Sequence, residues 1–183
     1  MPFSLVWDAV AAHFFSPASL EYVAKLTTEE RQEEGWFKRE LIKLLGELQR
    51  ADLIKSWQPE VWMGPARKKV DFQVDLGSAT GAVEVKTALC GSQKGYVWKL
   101  PGYVQTVRNG FIMTDVDKLA GIDAPHRLLV VFAHAAPPRT DWDKVLMDVR
   151  RKAPALSVDL PRVDDSPGGV LSIGWLRVAR TKA

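Results

Sequence analysis

Apolar and polar residues alternate along two neighbouring stretches of the chain. Lys69-Val70-Asp71-Phe72-Gln73-Val74-Asp75-Leu76 and Ala82-Val83-Glu84-Val85-Lys86-Thr87 each carry the period-2 signature of a half-buried strand. Gly77-Ser78-Ala79-Thr80-Gly81 lies between them and predicts a hairpin turn. Elsewhere the period is helical. Ser16-Pro17 reads as a cap and first turn leading into Leu20, Tyr22, Val23 and Leu26. Thr27 and Glu30 have capping-box spacing, so a long helix is expected from there to about Ile54, with Gly35 as an alternative start. Its apolar stripe is Phe37, Leu41, Leu44, Leu45 and Leu48.

Val61-Trp62-Met63 predicts a short strand, residues 90–102 a loop, and 103–119 contain a helical segment. Leu128-Leu129-Val130-Val131-Phe132-Ala133 is an apolar run of strand length, as expected of a strand buried on both faces. Residues 142–152 have helical spacing, 158–169 read as a polar, proline-containing connection, and 170–178 as a final strand. This order predicts an α/β (α+β) fold in which a central mixed β-sheet is flanked by helices.

The length of 183 residues suits one domain with a full core. A hydrophobic share of 46% and a charged share of 26% are those of ordinary globular chains. The lone cysteine, Cys90, excludes a disulfide framework and a cysteine-rich zinc site. That fits a reducing compartment, so a cytoplasmic location is expected. No segment approaches the roughly twenty apolar residues of a membrane span, and residues 1–15 lack the basic start of a signal peptide. The net charge of +3 permits, without requiring, a phosphate-backbone partner. Most of the seven tryptophans are expected in the core.

Candidate chemistry concentrates on the hairpin. Side chains two apart on a strand share a face, so Asp71, Gln73 and Asp75 point together, as do Glu84 and Lys86. Strand pairing would bring Asp71 near Glu84 with a lysine beside them. Two acids able to hold a hard divalent cation, next to a lysine, suit phosphodiester cleavage. Asp71 and Glu84 would supply carboxylates and Val85 a backbone carbonyl. Lys86 would orient the attacking water, aided by Gln73 or Thr87. Asp75, four residues beyond Asp71 on the same face, is the alternative ligand. No phosphate-cradling glycine loop, nucleophile elbow or metal-like histidine spacing is present.

A long helix carrying an acid, then Lys69-Val70-Asp71-Phe72 and Val83-Glu84-Val85-Lys86, resembles the PD-(D/E)XK nuclease superfamily over roughly residues 33–133. Val70 stands where the superfamily's name has proline. The resemblance implies a restriction-endonuclease-like core at about 29–135 within a single 1–183 nuclease-like domain. Helical additions would lie before it, and a helix and strand after it. It also implies nucleic-acid cleavage with magnesium, or manganese in its place, and a third acid from the first helix. Glu40 is assigned that role and the metal, with Glu33 as its rival. DNA is the expected partner, gripped through Lys68, Lys69, Lys94, Lys99 and Arg108. A homodimer remains open, through the apolar residues 1–15 or by pairing of two active sites. The competing expectation is a catalytically silent nucleic-acid-binding or protein-interaction module on the same fold.

Overall fold

A computed structural model describes residues 4–31, 33–63, 67–93, 96–104 and 112–180. Three helices come first: α1 (Ser4–Phe14), α2 (Pro17–Thr28) and α3 (Glu34–Arg50). Strands β1 (Ser56–Met63), β2 (Lys68–Asp75) and β3 (Thr80–Leu89) follow as a meander. A small hairpin, β4 (Gly91–Gln93) and β5 (Tyr96–Trp98), and helix α4 (Ile112–Ala120) lie between β3 and β6 (His126–His134). The chain ends with α5 (Arg139–Lys152), β7 (Leu156–Asp165) and β8 (Leu171–Arg180). The six main strands form one sheet in the order β1-β2-β3-β6-β8-β7, in which only β3 and β6 run parallel. The fold is thus the mixed, helix-flanked sheet that the element order predicts. Among the described residues no helix is long and apolar enough to cross a membrane.

The two faces of the sheet bury separate cores. Leu128, Val130 and Phe132 of β6 point toward α1–α3 and pack with Phe14 and Phe37; the Phe37 and Phe132 rings stack at 4.6 Å. Leu129, Val131 and Ala133 face Trp142 and Val145 of α5 and Val116 and Leu119 of α4. This two-sided burial is why β6 lacks polar alternation. Residues 4–14 belong to the first core through Val6, Val10 and Phe14, so the opening segment is a core helix.

The second core depends on one close approach. Gly174 of β8 lies under the Trp142 ring, where an added Cβ would fall well inside van der Waals contact. Trp142 is fully buried, with its indole N–H donating to Ser172 Oγ at 3.1 Å, so the ring has nowhere to retreat. Gly174→Ala is expected to destabilise the protein by roughly 1–3 kcal/mol through overpacking, measurable as a lowered denaturant midpoint.

Several sequence expectations need correction. The Thr27–Glu30 capping box does not form. Thr27 Oγ1 donates to the Val23 carbonyl at 3.0 Å inside α2, and Glu30 takes a left-handed φ of 52° just beyond it. Helix α3 therefore starts at Glu34, beside Gly35. Residues 90–102 are not wholly loop, because β4 and β5 form there. Residues 158–169 contain most of β7, an edge strand whose register shifts between Asp159 and Arg162. Pro161 falls within that irregularity, where an edge strand tolerates a missing N–H. Ser16 does cap α2, accepting the Ser19 N–H at 3.4 Å.

Candidate active site

Strands β2 and β3 pair from Asp75↔Thr80 to Phe72↔Val83 and then part. One further step of the ladder would set Asp71 opposite Glu84. Instead, Asp71 Oδ2 accepts the Val85 backbone N–H at 2.8 Å, replacing the bond that a continued ladder would supply. The N–H and C=O of a strand residue face the same edge, so the Val85 carbonyl also faces β2. From this fork the early residues of β2 pair only with β1, through Met63↔Lys68, Trp62↔Lys69 and Val61↔Val70.

Glu84 and Lys86 project from β3, the third strand of the six, and are only 2% and 7% exposed. They stay charged or polar there because helices on both faces supply partners. Lys86 Nζ donates to Glu34 Oε2 of α3 at 3.2 Å and lies 3.2 Å from Asp115 Oδ2 of α4, an ion pair without hydrogen-bond alignment. Lys118 of α4 donates to Glu84 Oε2 at 2.7 Å and lies 3.6 Å from Asp115. Lys38 of α3 bridges Glu34 Oε1 and Asp71 Oδ1, each at 2.8 Å. The carboxylates Asp71, Glu84, Glu34 and Asp115 are thus interleaved with Lys38, Lys86 and Lys118.

Burial, reinforced by the neighbouring charge of Asp71, pushes the Glu84 carboxyl up to about 8, and the Lys118 contact offsets only part of this. Burial likewise raises Asp115, although Lys86 and Lys118 pull it back. For Lys86 burial works against the charge, but the Asp115 and Glu34 carboxylates outweigh it and hold the ammonium above its ordinary range. Lys38 is raised too: Asp71 and Glu34 overcome its desolvation. Two carboxylate oxygens of the cluster lack a hydrogen bond among the described residues, and one of them, Asp115 Oδ2, keeps its ion contact with Lys86. The other, Glu84 Oε1, is buried with no hydrogen-bond partner among the described residues.

The third acid differs from the expectation. Glu40 is turned to His13 Nε2 at 3.2 Å and Lys43 at 2.6 Å, away from the hairpin. Its rival Glu33 takes the Tyr22 hydroxyl at 3.0 Å and pairs with Arg31. Glu34 is the α3 acid at the cluster. At about 100° per residue, Glu34 and Lys38 share a face that Glu40 leaves by about 120°. Glu34 also extends the stripe Phe37, Leu41, Leu44 and Leu48 one turn toward the N-terminus, a signal present in the sequence. Asp115, Lys118 and Lys38 were not expected at the site either. Asp75 accepts the Gly77 N–H at 2.7 Å, an Asx turn that closes the hairpin, so it is a structural acid.

Lys68 and Lys69 line an open groove of about 560 Å³ between the β1–β2 hairpin and α4, a groove that Lys118 also borders. Lys99 lies apart, in a second cleft beside Cys90 and the start of α5. Lys94 and Arg108 fall outside the described residues. Burial pushes the Cys90 thiol up to about 12, with Asp141 adding to it, so it is no thiolate nucleophile at neutral pH. His134 is buried and held neutral, lowered to about 4, with Nδ1 against Thr27 Oγ1 at 3.1 Å. Among the described residues no three His, Cys, Asp or Glu side chains converge as a ready-made cage. No family model, curated protein or solved structure matches the chain.

Proposed function

We propose that the protein is a metal-dependent nuclease that hydrolyses phosphodiester bonds in nucleic acid, with DNA as the expected substrate. The observation that carries this is the fork itself. Asp71 and Glu84 stand where β2 and β3 part, and Lys86 follows Glu84 on the same strand face. That is the arrangement the resemblance to PD-(D/E)XK nucleases implies, with Glu34 in place of Glu40.

The donor set fits a hard divalent ion. Glu84 Oε1 is buried without a partner among the described residues, and a cation between the acids would relieve the repulsion that raises Glu84. Asp71 and Glu84 would hold magnesium or manganese, with the Val85 carbonyl as a backbone oxygen, because such ions keep most of their waters and need few carboxylates. A bound ion of this kind polarises the phosphate and acidifies a coordinated water. The remaining work falls to the chain. Lys86 orients the attacking water and offsets charge building on the phosphate. Glu34 of α3 and Asp115 of α4 hold its ammonium in place. Lys38 and Lys118 keep the two ligand carboxylates apart from one another and pointed.

A second reading has its own support. Lys38 and Lys118 already occupy Asp71 Oδ1 and Glu84 Oε2, as in a catalytically silent module on this fold. Cleavage separates the two. Supercoiled plasmid and a single-stranded circle, incubated with magnesium or manganese, should be cut by the wild type and left intact in EDTA. Asp71→Asn should lower the rate at least about a hundredfold. Cutting in EDTA, or equal cutting by Asp71→Asn, would overturn the assignment; retention of nucleic acid without cutting would support the silent module.

A further inference from the structure

The fork that makes the site also makes the groove. The β2–β3 pairing stops before Asp71, so Lys68, Lys69 and Val70 pair only with β1, and the 560 Å³ groove lies between this end of the β1–β2 pair and α4. Arg67, Lys68 and Lys69 lie on the hairpin side and Lys118 on the helix side. Lys118 is shared with the acid cluster through its 2.7 Å contact to Glu84, so the groove adjoins the candidate site at this residue.

Trp62 borders the same groove and is 60% exposed, the only aromatic among the described exposed large hydrophobic residues. Tryptophan normally buries most of its large surface, so an exposed ring in a basic groove calls for a ligand with a flat apolar face. Strand register sets Trp62 directly across from Lys69. Lys69 holds Glu60 at 2.9 Å, but with Glu60 72% exposed that pair is weak and exchanges readily for a phosphate. Lys68 donates to the Asp117 carbonyl at 3.1 Å and retains further donors.

We propose that Trp62 is a stacking platform for an unpaired base, and that the groove takes single-stranded nucleic acid, or an unpaired segment such as a flap or overhang, next to the scissile phosphate. The position beside a scissile phosphate rests on the nuclease reading; the binding itself does not. An indole face beside phosphate-binding cations is the combination by which single strands are held without sequence preference. Bases inside a duplex are stacked on each other and cannot cover Trp62, and a groove of this volume takes a base with its phosphates, within the roughly 300–1,000 Å³ of ligand sites.

Fluorescence anisotropy on the full chain in EDTA, where nothing is cut, tests the platform with a labelled single strand and the same sequence as a duplex. The wild type should prefer the single strand. Trp62→Ala should weaken single-strand binding about tenfold or more, Trp62→Phe should keep most of it, and duplex binding should be unchanged. Trp62 is exposed, so all variants should melt as the wild type does. Equal single-strand binding by Trp62→Ala, equal wild-type affinity for both forms, or no single-strand binding would each overturn the platform. The two proposals fail separately. A strand held through Trp62 but uncut with any divalent ion leaves the platform and removes the nuclease. Cleavage by the wild type with Trp62→Ala binding normally does the reverse. Capture of a protein partner by Trp62 with no single-strand binding likewise overturns the platform.

Discussion

Glu84→Gln should give a protein that is more stable than the wild type near neutral pH and loses at least about a hundredfold in cleavage rate. The stability gain follows from the sign of the Glu84 shift. Its carboxyl is raised in the fold to about 8 from an ordinary 4.5, because burial and Asp71 disfavour its charge. Between these values the folded chain binds more protons at this position than the unfolded chain does. Stability therefore falls as pH rises from about 4.5 to about 8, and levels off above. Glutamine cannot ionise and escapes that loss while keeping an acceptor for Lys118. The gain should be on the order of 1–3 kcal/mol at pH 8 in EDTA and vanish near pH 4, discounted for the partial offset from Lys118. Chemical denaturation at several pH values measures it; a Gln variant no more stable at pH 8 than at pH 4, relative to wild type, would refute the shift.

With Glu84 as the proposed metal ligand, the same carboxyl would link metal binding to pH. At pH 7 Glu84 is mostly protonated, so loading magnesium or manganese should release about one proton, and affinity should rise roughly tenfold per pH unit until about pH 8. Calorimetry in buffers of different ionisation enthalpy reads that proton directly. Glu84→Gln should show neither the proton nor the metal-induced rise in stability that the wild type gains. A stabilising mutation that removes function is what a site holding unfavourable charge for chemistry predicts.

How much of this was legible in the sequence follows from where the information resides. β2 was readable because one of its faces is buried and the other half-buried, which forces alternation around Asp71. β3 is buried on both faces, not half-buried as expected, and it alternates because Glu84 and Lys86 find charged partners inside the fold. β7 was not, because an edge strand interrupted at Pro161 has no strict pattern to impose. Glu34 was readable in principle, since it continues the heptad phase of Phe37, Leu41 and Leu48. Glu40 shares the i, i+4, i+8 stripe of Leu44 and Leu48, but that stripe's edge meets His13 of α1 and not the hairpin. Asp115 and Lys118 could not be found this way. Their i,i+3 spacing is ordinary for an exposed helix, and only the packing of α4 over β3 brings them to Lys86 and Glu84. Trp62 was likewise hidden, because nothing local distinguishes an exposed strand tryptophan from a buried one.

The largest combined effect is expected at Lys86. Among the described residues it is the one cation that touches acids of both α3 and α4, Glu34 and Asp115. Lys86→Met keeps the aliphatic volume and removes the charge, leaving buried Asp115 with the 3.6 Å contact to Lys118 as its cationic partner among the described residues. Breaking a buried pair in this way costs about 3–5 kcal/mol, while under the proposed nuclease role the loss of charge should cost at least about 10²-fold in rate. Lower stability alone would also reduce activity, so the two effects must be separated. Asp115 is already raised by burial, and without Lys86 it rises further. It then binds a proton more tightly in the fold than in the unfolded chain, so the penalty should grow as pH rises above the ordinary carboxylate range and shrink below it. Lys86→Met/Asp115→Asn removes both members of the buried pair and should recover most of the stability at pH 8. Cleavage should stay lost, because neither substituent carries a positive charge to offset the negative charge building on phosphate. If the double variant regains both stability and rate, Lys86 serves only to neutralise Asp115 and is no part of the chemistry.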